Sequence, residues 1–212
     1  YKVSYAGVML DTFPVATPSG IIKMYNSDTM IFTQYNGNTL MKLAPDGVIV
    51  PMHSGGILDG PVGLAYDSTG QLFGANFNDR EIYKIDEDSV THWATIPVIG
   101  LPNTQYLGFI AYARGSLWAT AFTAHQIFRV DLTQADSIEW FSGSTVGVVD
   151  GHVSIAKFNR PNGICASLTG DTIYITDAGN GRVRTITDTP VANEVAQQDF
   201  QLEIGPNPAT TQ

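Results

Sequence analysis

Four copies of one short block run along the chain, with no gap inside any of them. Thr29-Met30-Ile31-Phe32-Thr33 followed by Leu40-Met41-Lys42-Leu43 aligns with Gln71-Leu72-Phe73-Gly74-Ala75 followed by Ile82-Tyr83-Lys84-Ile85. The same frame fits Ser116-Leu117-Trp118-Ala119-Thr120 with Ile127-Phe128-Arg129-Val130, and Thr172-Ile173-Tyr174-Ile175-Thr176 with Val183-Arg184-Thr185-Ile186. In every copy an aromatic residue or Ile lies nine residues before the next apolar anchor: 31 to 40, 73 to 82, 118 to 127, 174 to 183. Self-similarity at a fixed period marks a repeat architecture, in which each unit buries its apolar face against its neighbour.

Upstream of each block sits a glycine: Gly20, Gly63, Gly108 and Gly163. Three of these follow a proline by two residues, so each unit is expected to open with a turn. Short apolar segments then alternate with polar turns such as Asp67-Ser68-Thr69-Gly70 and Asp177-Ala178-Gly179-Asn180-Gly181, which reads as three strands. A fourth strand is visible near 48–50, 90–96 and 137–141. Four antiparallel strands in about 40 to 45 residues make a propeller blade. No window keeps a helical apolar period while avoiding Gly and Pro. The expected fold is therefore all-β, a β-propeller of four-stranded antiparallel blades near 18–52, 61–97, 107–142 and 161–187, within a domain spanning 1–190. The fourth unit lacks a clear last strand after Asp188, and residues 1–13 are expected to supply it as a closing strand.

Composition narrows the partners. Twenty Asp and Glu against 11 Lys and Arg give a net charge of -9, which disfavours a phosphate-backbone ligand and excludes nucleic acid as the expected partner. No apolar run approaches the roughly 18 to 20 residues of a transmembrane helix. The single Cys165 has no intramolecular disulfide partner and no zinc or redox spacing; on an apolar inner strand it is expected to be a small core residue. The chain starts at Tyr1 with no signal-peptide pattern before it, so it is expected to be a processed or trimmed piece of a longer product.

The segment from Gly147-Val148-Val149-Asp150-Gly151 through Ala156-Lys157-Phe158-Asn159-Arg160-Pro161-Asn162-Gly163-Ile164 resembles the linker and opening strand of NHL-repeat propellers. Ile173-Tyr174-Ile175-Thr176-Asp177-Ala178-Gly179-Asn180-Gly181-Arg182-Val183-Arg184 resembles the second half of the same repeat, and the likeness extends over roughly 18–186. Gluconolactonase/regucalcin-like enzymes and strictosidine-synthase-like proteins share this texture and generally have six blades, which implies a six-bladed parent. A second resemblance covers Phe200-Gln201-Leu202-Glu203-Ile204-Gly205-Pro206-Asn207-Pro208-Ala209-Thr210-Thr211, similar to the start of the C-terminal sorting domain of type IX secretion substrates of Bacteroidota. It implies a linker and sorting-domain start at 191–212, the secretion machinery as a partner, and a secreted or cell-surface location. The other reading of that run is a Pro-rich exit linker.

The gluconolactonase-like resemblance also implies a metal site made by one Glu, one Asn and one Asp at the channel mouth, and Asn162-Gly163 matches the Asn. The residues before the four glycines are Ser19, Val62, Leu107 and Asn162, and those two before the blade prolines are Ala16, Asp59 and Asn159. A hard cation such as Ca²⁺ takes about six to eight oxygen ligands, which a ring containing Val and Leu does not offer. Asn162, then Asp59 and Ser19, are the candidate ligand-binding residues, with Asn162 otherwise a turn residue bonding its own backbone. Zinc held by histidines, as in the NHL-like peptidylglycine-amidating lyases, is disfavoured because His53, His92, His125 and His152 fall at unrelated blade positions. Asp177 is expected to cap its turn, while Phe73, Trp118 and Tyr174, with Ile31, are expected in the core between blades. No Gly-x-Ser-x-Gly elbow occurs. The expected function is a secreted binding or scaffold module for an extracellular glycan, peptide or protein, without catalytic residues or cofactor. The alternative is a gluconolactonase-like or lyase-like enzyme using Ca²⁺ or another divalent metal at a site that includes Asn162.

Overall fold

A computed structural model describes residues 2–3, 6–7, 9–97, 106–134, 137–188 and 202–205. Strands β1 (Lys2–Val3) and β2 (Met9–Asp11) pair with each other, and the remaining strands form four antiparallel sheets of four strands each. Blade 1 holds β3 (Pro18–Lys23), β4 (Met30–Gln34), β5 (Thr39–Leu43) and β6 (Ile49–Ser54). Blade 2 holds β7 (Pro61–Tyr66), β8 (Leu72–Asn76), β9 (Glu81–Ile85) and β10 (Val90–Thr95). Blade 3 holds β11 (Leu107–Ala113), β12 (Ser116–Ala121), β13 (Gln126–Asp131) and β14 (Ile138–Gly143). Blade 4 holds β15 (Pro161–Ala166), β16 (Thr172–Asp177), β17 (Arg182–Asp188) and β18 (Leu202–Gly205). The order within each sheet follows the chain, as in a β-propeller. Among the described residues the sole helical element is a 3-10 turn at Ala178–Asn180, and no helix is long and apolar enough to cross a membrane.

One expectation about the ends needs correction. The last strand of blade 4 is not the N-terminal stretch: β18 pairs with β17, with Thr185 opposite Gly205 and Asp188 opposite Leu202. Residues 202–205, which fall within the expected linker and sorting-domain start, pair with blade 4 as its fourth strand. The rest of 189–212 lies outside the described residues. The strand that next follows β17 fills this place because an exposed strand edge offers a row of unpaired backbone groups to a segment that reaches it.

The blade-opening glycines do not sit in turns. Each lies inside an inner strand, β3, β7, β11 or β15, and none has positive φ. What they provide is close approach between blades. A Cβ built on Gly20 would meet the Val62 carbonyl oxygen, and one on Gly63 would lie 2.7 Å from the Ile110 nitrogen. One on Gly108 would lie 3.0 Å from the Asn162 carbonyl oxygen, again in the next blade. Threonine hydroxyls complete the joint: Thr33 Oγ1 accepts from the Gly20 amide at 2.7 Å and donates to the Val62 carbonyl at 3.4 Å. Thr120 Oγ1 likewise donates to the Asn162 carbonyl at 2.6 Å.

Strand burial follows from how many neighbours a blade has. The middle strands β8 and β12 are buried at every residue because sheets cover both their faces. Strand β16 alternates instead, with Ile173 and Ile175 packed on Trp118, Ile127 and Phe158 and the opposite face open. Ile31, Phe73 and Trp118 face the next blade and are buried, as expected, whereas Tyr174 at the same place is 40% exposed. Leu40, Ile82 and Ile127 form a second such series, all fully buried, and Val183 ends it at 37% exposed. Cys165, opposite Tyr174 in the sheet, is exposed for the same reason and is not a core residue. The inner strands touch in the order β3, β7, β11, β15, and β3 and β15 make no comparable contact among the described residues.

Candidate functional site

The turns between second and third strands lie at the same end of the molecule as the connections that enter each blade, since successive strands run antiparallel. Of the expected ligand-binding residues, Asn162 sits in β15 rather than in a turn, and its carbonyl accepts from Thr120. Ser19 is exposed on β3. Between them, Val62 and Leu107 are buried at the matching places on β7 and β11. Asp59 lies before β7, where its Oδ1 accepts from Asn78 Nδ2 at 2.9 Å. No hydrogen bond or ion pair joins these three residues, and among the described residues no group of three or more His, Cys, Asp or Glu could hold a metal ion. One amide, one hydroxyl and one carboxylate already hydrogen-bonded to an amide do not fit the six to eight oxygens of a calcium site.

Each histidine has its own local partners. His53 Nε2 contacts the Asp86 carbonyl, His92 contacts Glu81 and Thr95, and His152 Nδ1 contacts the Ser154 hydroxyl. His125 Nδ1 accepts from the Arg160 amide at 3.0 Å. Burial and the Arg160 charge lower the His125 pKa below its ordinary value, partly opposed by Asp177.

Asp59 belongs to a different constellation, one not foreseen from blade-opening positions. Directly after the second strand come Tyr35, Phe77 and Phe122 in blades 1 to 3, and Ala178 in blade 4. Three residues further on, Asn38, Arg80 and His125 turn the chain back with φ of 48°, 67° and 60°; Gly181 does so in blade 4. The tight return holds the aromatic residue at the rim of its blade. Phe77 stacks on Tyr106 at 4.7 Å between ring centroids, meets Tyr35 edge-on at 5.8 Å, and lies 5.9 Å from Phe122. These four rings are half-buried except for Tyr106, which is 36% exposed. Polar groups border the row. Tyr35 Oη donates to Asn78 Oδ1 at 2.9 Å, Asn78 passes the bond on to Asp59, and the Gly60 amide donates to Asn38 Oδ1 at 2.8 Å. The sequence signal was present: an aromatic residue four places after positions 31, 73 and 118 in three copies.

In blade 4 the matching end is closed by ion pairing. Asp177 is fully buried and does not cap its turn. It accepts from the Asn159 amide at 2.7 Å and from Asn180 Nδ2 at 2.7 Å, and pairs with Arg184 at 3.4 Å. Arg184 also meets Asp150 at 2.7 Å and donates to the carbonyls of Val149 and Lys157. Its role is to satisfy the backbone of the segment that lengthens this repeat.

Residues 158–186 match the family model of the NHL repeat. No curated protein sequence matches the chain. Virginiamycin B lyase from Staphylococcus aureus resembles it in structure, with a TM-score of 0.68 at 19% identity over 97% of this chain and 62% of that one. A gluconolactonase from Xanthomonas campestris gives 0.65 at 14% identity, over 92% of this chain and 63% of the enzyme. An auxiliary nutrient binding protein from Bacteroides thetaiotaomicron gives 0.66 at 18% identity, over 89% and 46%. At such identities the likeness is one of fold, a β-propeller in which these neighbours are larger. The chain spans about 62% of the lyase it matches.

Proposed function

We propose that the chain is the ligand-binding part of an exported β-propeller and that it binds without catalysing a reaction, at the loop end of blades 1 to 3. The observation that supports this reading is the row Tyr35, Phe77, Tyr106 and Phe122, bordered by the Asn78 amide and the Asp59 carboxylate. Apolar rings held at a rim by tight turns present flat faces for stacking, and a few convergent polar groups fix orientation. A saccharide fits that chemistry: its ring faces stack, and its hydroxyls bond to amide and carboxylate. Calorimetric titration with neutral oligosaccharides and with peptides tests the reading. Saturable glycan binding that Phe77→Ala weakens at least about tenfold, a loss of some 1.4 kcal/mol, is the expected result. Binding of peptides alone would reassign the ligand, and no binding to either would overturn the reading.

The rival reading is a metal-dependent lactonase-like or lyase-like enzyme, favoured by the Asn162-Gly163 pair and by the company of lyase and gluconolactonase folds. It requires further ligands beyond those described here. Metal-dependent opening of a lactone, lost in Asn162→Ala, would establish it in place of the binding module. Export through type IX secretion rests on the resemblance of the run at residues 200–211 to the start of a sorting domain. Fractionation of a Bacteroidota host expressing the chain with and without residues 206–212 tests it.

A further inference from the structure

We propose, resting on the binding reading above, that the aromatic row prefers saccharides carrying a protonated amine, and that Asp59 is the residue that makes the choice. The hydrogen bonds at this rim run in one direction. A carboxylate accepts and does not donate, so Asp59 Oδ1 fixes Asn78 with its Nδ2 toward Asp59 and its Oδ1 toward Tyr35, at 2.9 Å on each side. The Tyr35 hydroxyl therefore donates to Asn78 and can meet a ligand only through its lone pairs. Gly60 holds the chain of bonds in place. Its backbone is left-handed, with φ of 63°, and a Cβ there would lie 2.7 Å from the Tyr35 ring and 2.8 Å from Asn78 Nδ2.

What this leaves toward solvent is rich in acceptors. Asp59 and Asn78 are exposed, and among the described residues Asp59 Oδ2 has no hydrogen-bond partner and no ion pair takes up its charge. Arg80, the cation of the same turn, is held on the Ile96 carbonyl at 2.9 Å. Lys23 and Lys42 bond to Asp28 and Glu87, in turns at the opposite end of blades 1 and 2. A second carboxyl group lies close by. Burial raises the Asp79 pKa above its ordinary value, and the charges of Glu81 and Asp59 add to this against hydrogen bonds from the Glu81 amide and Asn76. The rings act in the same sense, because the face of an aromatic ring is negative and attracts a cation placed over it. An ammonium group on a sugar stacked over Phe77 and Tyr106 meets ring faces and the Asp59 carboxylate together. A uronic acid or a sulfated sugar brings its negative charge to the same carboxylate, with the neutral Asn78 amide as the nearby donor.

Calorimetric titration of the whole chain with three saccharides of equal length tests the proposal. These are a neutral trimer, the same trimer with a free amine on each ring, and a uronic-acid trimer, at about pH 6, where a sugar amine is protonated. The amine form is expected to bind about tenfold more tightly than the neutral form in about 0.02 M salt, and less than about threefold more tightly in about 0.5 M salt. The uronate is expected to bind about tenfold more weakly than the neutral form at the lower salt. In Asp59→Asn the ratio of amine to neutral affinity should fall to about one. Asp88→Asn removes the same charge from an exposed turn at the opposite end of blade 2 and should keep the ratio near its original value. Equal affinities for the amine and neutral forms overturn the preference and leave the glycan reading standing. A preference that survives Asp59→Asn, or that is lost equally in Asp88→Asn, overturns the role of Asp59. Binding of none of the three overturns both the preference and the reading on which it rests.

Discussion

Arg184 and Asp177, both fully buried, form an ion pair at 3.4 Å, and the two places they occupy hold Tyr83 with Asn76 in blade 2 and Phe128 with Ala121 in blade 3. The two places are ionic in blade 4, neutral polar in blade 2, apolar in blade 3 and mixed in blade 1, where they hold Met41 with Gln34. Burying one charge without the other is costly, so a charge at one place calls for its counter-charge at the other. The ionic version occurs where the long inter-blade segment adds the carbonyls of Val149 and Lys157 to the demand for donors.

Removing one partner should expose that dependence. Arg184→Met leaves Asp177 buried and unpaired and is expected to cost about 3–5 kcal/mol. The double replacement Asp177→Asn with Arg184→Tyr, which copies blade 2, should cost less than the two single changes added together. Urea unfolding of the four proteins in a double-mutant cycle measures the coupling, and additive effects would refute the matching of the pair.

The glycine joints make an asymmetric forecast. Gly20→Ala drives a methyl group into the Val62 carbonyl and should destabilise by about 1–3 kcal/mol, as overpacking does. Gly163→Ala meets only the Thr176 side chain, at 3.1 Å, and should change stability by less than about 1 kcal/mol in either direction. Thermal melts of the two variants side by side decide it.

Aromatic truncation should follow neighbours rather than sequence. Trp118→Ala removes a ring packed on blade 4 and edge-on to Phe141 at 4.6 Å, for an expected loss of about 3–5 kcal/mol. Tyr174→Ala, at the equivalent place, should stay within about 1 kcal/mol because its ring is half in water. Equal losses would mean that the last face is covered.

The pH response of stability is expected to include His125. Its folded pKa lies below the 6.5 of a free imidazole, chiefly through burial and then through Arg160, so the unfolded chain takes up its proton first. The contribution is present above pH 6.5 and is lost as pH falls below it toward the folded value. His125→Asn should flatten that decline in a series of unfolding curves between pH 7.5 and pH 5, a range set by about one unit on either side of the free value.

Much of the fold was legible because the nine-residue spacing fixes the second and third strands of every blade, and alternation of β-branched residues supplies their pleat. The glycines misled: Gly next to Pro suggests a turn, yet Gly20 and Gly63 sit in strands where the constraint is a neighbouring backbone. Tyr174 and Cys165 carry the same local pattern as Trp118 and Ala111, but blade 4 packs on Trp118 and Ala111 whereas no further blade among the described residues packs on Tyr174 and Cys165. Strand β18 was unreadable for a different reason, since the connection from β17 over 189–201 is longer than those at 44–48, 86–89 and 132–137 in the other blades. At the candidate site, Asn162 and Asp59 follow from blade-opening positions, but the aromatic row follows only from comparing turns across copies.

Cys165 offers the most direct test of the arrangement of four blades, in which no described residue covers the face of blade 4 that carries Tyr174. It is the single cysteine, and it lies opposite Tyr174 on that face. The native thiol is expected to react with a small disulfide reagent within about tenfold of its rate in the urea-unfolded chain. A thiol that is protected in the native state and reacts only as fast as the protein unfolds would contradict the open face, and with it the arrangement of blades described above.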